Sequence, residues 1–175
     1  MEKEVYSYLK VYADAALGDI PNPSSEIIEV MREEPEEAFN VIADYQGKRP
    51  RNLDPRDMDA PLGRLLEQIA DLVPELFISR MTSGYWASRY PFICSAAASK
   101  SEVFVPTILN LLADRSIYIK TLVLDLIPEM PHLQVPEALP KFERLEKMKS
   151  FLNSDYDKKR LEKAKAATIN HITKQ

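Results

Sequence analysis

One cysteine, Cys94, stands in a chain of 175 residues, so no disulfide can close within it and no metal cage can be built from thiolates alone. This thiol usage fits a reducing, cytoplasmic setting. Glycine is scarce too, at four, which leaves no glycine-rich phosphate loop; each glycine is better placed to end a helix. The two histidines, His132 in a proline turn and His171 near the C-terminus, belong to no ligand motif of the H-E-x-x-H kind. No apolar run approaches the roughly 18 residues of a membrane span. The charged, amphipathic start MEKEVYSYLK is unlike a secretory signal, which would be basic and then continuously apolar. Strand alternation is missing as well. These absences argue against nucleotide binding, metal chemistry and membrane insertion, and the expectation is a non-enzymatic protein with no cofactor and no metal.

What is present is ordinary in amount and uneven in placement. A hydrophobic share of 45% with 29% charged residues suits one sizeable core, so a single all-helical domain over residues 1–175 is expected. The net charge of −4 conceals a gradient. Residues 1–60 hold 7 Lys+Arg against 14 Asp+Glu, residues 61–135 hold 6 against 7, and residues 136–175 hold 10 against 6. The acidic end would attract a basic partner.

Apolar periodicity divides the chain into helices. Val5, Tyr8, Leu9, Tyr12 and Ala16 share one face up to Gly18, and the turn from Asp19 to Pro23 follows. Ser24 or Ser25 reads as the N-cap of a second helix carrying Ile27, Ile28 and Met31. Pro35 with Glu36 and Glu37 makes a good first turn for a third, which Gly47 should end. Residues 48–59 carry prolines and mixed charge without apolar period, an exposed connection. Asp54, Asp57 and Asp59 within it lack the glycine and final glutamate of a calcium loop. A helix from Ala60 to Val73 is expected to break or kink at Pro74, with Leu76, Phe77, Ile78 and Met81 continuing to Gly84. Beyond Met130 a proline-punctuated turn leads to a helix with Ala138, Phe142, Leu145, Met148 and Leu152 on one face. A last helix, capped near Ser154, has a thin stripe through Leu161, Ala164 and Ile172 among many lysines.

The clearest pattern lies at residues 102–130. Val105, Ile108, Leu109 and Leu112 form one helical stripe, and Ile119, Leu122, Val123, Leu126, Ile127 and Met130 form another. Between them Asp114-Arg115-Ser116 is short enough to force the two helices antiparallel. Val105-Pro106, then Ile108, Leu109, Leu111 and Leu112, then Asp114, then Ile119-Lys120, Val123 and Leu126 resemble one HEAT repeat. The resemblance implies a right-handed α-solenoid of stacked antiparallel hairpins. It also implies a structural ladder in which Asp114 caps the second helix and Lys120 stands where an arginine is usual.

No catalytic constellation emerges. Cys94 sits among Phe92, Ile93 and Ala96, surroundings of an inert buried thiol. Binding is therefore the leading reading, with another protein, basic in charge, as partner. The aromatic stretch from Tyr85 to Cys94 supplies residues that dominate interfaces, and the resemblance places the second helix of the hairpin on a shared concave surface. Tyr85, Trp86, Arg89, Tyr118, Thr121 and Asp125 form the expected partner site. A small acidic chain of this kind suits an immunity protein that neutralises a basic bacterial toxin. HEAT-like solenoids that act on nucleic acid or in DNA repair are the alternative; the net charge and the confinement of basic residues to the last forty or so argue against it.

Overall fold

The computed structural model describes residues 3–7, 23–48, 63–148 and 154–174. All regular structure among them is helical, with no strand. The chain forms two compact units, Met1–Ser99 and Lys100–Gln175.

In the first unit residues 3–7 are helical, followed by α1 (Ser25–Glu33) and α2 (Pro35–Lys48). Ser24 caps α1, its Oγ accepting from the Ile27 N–H at 3.3 Å. Pro35 opens α2 with Glu36 and Glu37 in the first turn. At the first helical position a missing N–H costs nothing, and acidic side chains meet the positive helix end. Gly47 falls inside α2 and does not end it. The expected long helix before Pro74 is cut short. Residues 63–67 are helical, residues 68–72 are turns, and Val73 stands at φ −134° before α3 (Pro74–Thr82). The proline ring excludes helical backbone from the residue before it, so Pro74 starts a helix instead of kinking one.

Gly84, at φ 89°, turns the chain after α3 into α4 (Trp86–Ala98). Phe39 of α2, Phe77 of α3 and Phe92 of α4 meet in a triangle with ring centroids 5.2 to 5.8 Å apart. With Met31, Ile42, Leu65, Leu66 and Ile69 also buried, this triangle is the centre of the unit's core. Pro91 lies within α4, where its missing N–H leaves the Ala87 carbonyl without a helical donor. The Gln46 side chain supplies one, its Nε2 donating to the Ala87 oxygen at 3.4 Å.

The second unit begins with a 3₁₀ turn, Glu102–Phe104, and α5 (Val105–Asn110), which tightens into a second 3₁₀ turn over Leu111–Ala113. After the Asp114 link comes α6 (Ile117–Leu126). Three 3₁₀ turns at Ile127–Glu129, Pro131–Leu133 and Pro136–Ala138 then lead to α7 (Leu139–Glu146), and α8 (Asp155–Ile172) follows. Both stripes are buried through Ile108, Leu109, Leu112, Ile119, Leu122, Val123 and Ile127. Phe142 and Leu145 of α7 and Leu161 and Ala164 of α8 join them in the core. The residues from Tyr8 to Pro21, the connection at 49–59, and Leu152 lie outside the described set.

Candidate functional site

Of the six residues expected to meet a partner, three belong to the first unit and three to the second. Tyr85 precedes α4 and is 68% exposed; its ring stands 5.6 Å from that of Trp86, which is half-buried. Arg89 departs from expectation. It is 5% exposed, and its Nε donates at 2.6 Å to the Met81 carbonyl. That oxygen lies in the last turn of α3, where helical donors have run out, so a buried guanidinium both satisfies it and meets the negative helix end. The position one turn after Tyr85 therefore points into the protein, and Arg89 is a structural cap for α3.

In the second unit Tyr118 is 58% exposed, near the half-exposed Ile117. Thr121, half-buried on the next turn of α6, donates its hydroxyl back to the Ile117 and Tyr118 carbonyls, each at 3.1 Å. Asp125 is exposed on the following turn but committed to α8: its Oδ1 lies 2.9 Å from Arg160 Nε. Although the residue keeps an exposed edge, partial desolvation of the carboxylate raises the Asp125 pKa and outweighs the opposing pull of the Arg160 charge. The outward face predicted for α6 is thus real at Tyr118, while at Asp125 the last helix engages it. Tyr156 on α8, 66% exposed, lies under the Arg160 guanidinium at 4.3 Å.

The two ladder residues have separate roles. Asp114 Oδ1 accepts from the Ser116 N–H at 2.8 Å, which fixes the turn before α6; Ser116 is the N-cap, and its own hydroxyl makes no capping bond. Lys120 is buried on α6.

A cavity of about 670 Å³ opens in the second unit. Its walls come from α5, from the proline turns after α6, from α7 and from the end of α8. The two histidines, distant in sequence, both line it, together with Glu102, Glu137 and Lys141. Sequence reasoning missed it because prolines at 131 and 136 read as a simple turn. They in fact break the chain into 3₁₀ pieces, which leave a concave wall. Among the described residues no group of three His, Cys, Asp or Glu side chains could hold a metal ion, and no helix is long and apolar enough to cross a membrane. Compared with known proteins, the chain matches no family model, no curated protein and no solved structure.

Proposed function

We propose that this chain is a non-enzymatic protein-binding module whose partner is a basic protein, and that it is built as a short HEAT-like solenoid. One observation carries the reading: large aromatic side chains, Tyr85 and Tyr118, stand exposed on helical scaffolds that already have well-filled cores. Such residues lose water favourably when a partner covers them, and tyrosine is among the commonest interface anchors. Trp86 stands beside Tyr85 in the first unit, and Thr121 and Asp125 follow Tyr118 along α6 in the second; Arg89 is withdrawn into its own unit.

Charge selects the partner. The segment containing α1 and α2 exposes Glu26, Glu29, Glu33, Glu34, Glu36 and Glu37 against Arg32, a field that speeds encounter with a basic surface. An immunity protein against a basic bacterial toxin is the specific form of this reading. Nucleic-acid binding is less well supported. On α8, Lys158, Arg160, Lys163 and Lys165 are each within 3.1 Å of a carboxylate, so phosphates would have to displace existing pairs.

The test is capture of partners from source cells by the wild-type chain and by Tyr85→Ala and Tyr118→Ala, over a series of salt concentrations. A basic protein retained by wild type, lost from the variants and weakened by salt is the expected result. Recovery of nucleic acid, or unchanged capture by both variants, would reject the reading.

A further inference from the structure

The cavity of the second unit has no tyrosine or tryptophan in its lining and has its own chemistry. Its apolar walls are Val105, Pro106, Leu109, Pro131, Val135 and Pro136. A volume near 670 Å³ lies within the range that accepts a small ligand or a few peptide residues.

Most of the polar groups around it are already engaged. Gln134 Nε2 donates to the Ile127 and Pro128 carbonyls at 2.9 and 3.2 Å. Lys141 Nζ donates to Asn110 Oδ1 at 2.6 Å, so the ammonium is held against a neutral amide of the same lining. Glu102 and Glu137, exposed at the cavity, take part in no ion pair among the described residues. The formal charges still to be matched are two carboxylates against one engaged ammonium, beside the imidazoles of His132 and His171.

From this we infer that the cavity binds a basic peptide segment, an extended stretch carrying a lysine or arginine between apolar residues, presented by the partner protein. The apolar neighbours would cover the valine, leucine and proline walls, and the cation would meet Glu102 and Glu137. An acidic segment would place like charges together, and a wholly apolar one would take water from the carboxylates without replacing it. The inference rests on the reading of a basic protein partner and gives it a subsite.

The test uses the full chain and two probes, acetyl-Leu-Arg-Leu-amide and acetyl-Leu-Glu-Leu-amide, titrated by NMR. The arginine peptide should saturate, with shifts at Val105, Leu109 and Val135, and the glutamate peptide should not. Glu102→Gln and Glu137→Gln, both surface changes, should each weaken the arginine peptide roughly two- to fivefold, as expected for exposed ion pairs. Lys141→Met should leave it bound at least as well. Equal affinity for the two peptides, shifts elsewhere, or no saturation by either would overturn the inference. Because no partner is needed, the outcomes separate: failure here with Tyr85-dependent capture intact removes the subsite alone, whereas peptide binding without any captured protein removes the wider reading.

Discussion

Gln46 of α2 donates its side-chain amide to the Ala87 carbonyl of α4, the acceptor that Pro91 leaves unserved four residues later. A proline inside a helix is tolerated here because another helix supplies the lost donor. Gln46 is 3% exposed, so water cannot take its place.

This pairing makes a coupled prediction. Gln46→Ala in the wild-type background should cost about 1–2 kcal/mol, the penalty of a buried carbonyl left without a donor. In a Pro91→Ala background the backbone N–H is restored to serve Ala87, and the same change should cost less. Chemical denaturation of the four proteins gives the coupling energy. Equal costs in both backgrounds would mean that Gln46 acts by packing alone.

A second prediction concerns two residues with positive φ. Gly84 at φ 89° follows α3 and Lys100 at φ 59° follows α4, each just beyond the helix cap. Only the first has the residue type that this backbone favours. Lys100→Gly should therefore stabilise the chain by up to about 1 kcal/mol. Gly84→Ala should destabilise it by about 1–2 kcal/mol through the backbone, since an added Cβ would meet Ser88 Oγ at an ordinary 3.5 Å. Thermal melts of the two variants should move in opposite directions.

Much of the helical pattern was legible because a period of 3.6 records which side is dry: Ile108, Leu109, Ile119 and Val123 are buried as spaced. Local signals at Ser24 and Pro35 also fixed helix starts, since capping is decided within one turn. What sequence could not show depends on partners far along the chain. Arg89 reads as an interface residue until the free carbonyl of Met81 is placed beside it, and Asp125 reads as free until Arg160 arrives from α8. The same limit applies to the candidate site. Tyr85 and Tyr118 were found by type and angle, but the cavity uniting His132 with His171 exists only once separate elements converge.

Asp125 and Arg160 should respond unequally to mutation and to pH. Burial raises the Asp125 pKa despite the adjacent guanidinium, so its ionised form weighs against folding at neutral pH, and that penalty fades as pH falls through the raised value. Asp125→Asn removes the penalty together with the ion pair and should change stability by less than about 0.5 kcal/mol at pH 7. Arg160→Ala leaves the carboxylate without its cation and should cost about 1 kcal/mol. Acidification should narrow the gap between the two variants, because a protonated Asp125 no longer needs a cation. Denaturation midpoints at neutral and acid pH give both results; a gap that stays constant on acidification would show that the charge of Asp125 contributes nothing to the difference.

The separation of Arg89 from the partner surface can be tested against Tyr85, four residues earlier. Arg89 is buried and serves the end of α3, so Arg89→Ala should destabilise the fold by about 2–3 kcal/mol, the range for a buried charge-assisted hydrogen bond. It should reduce partner binding only in proportion to the protein that unfolds. Tyr85 is exposed beside Trp86, and Tyr85→Ala should leave the melting temperature nearly unchanged while weakening capture of the partner tenfold or more, as expected of an aromatic anchor worth about 2 kcal/mol. Measuring both quantities on both variants separates the two roles. If Arg89→Ala melts like wild type and fails to bind, then the guanidinium reaches the partner and its bond to Met81 is dispensable. If Tyr85→Ala binds as wild type does, the exposed ring is only surface, and the interface must be sought around Tyr118.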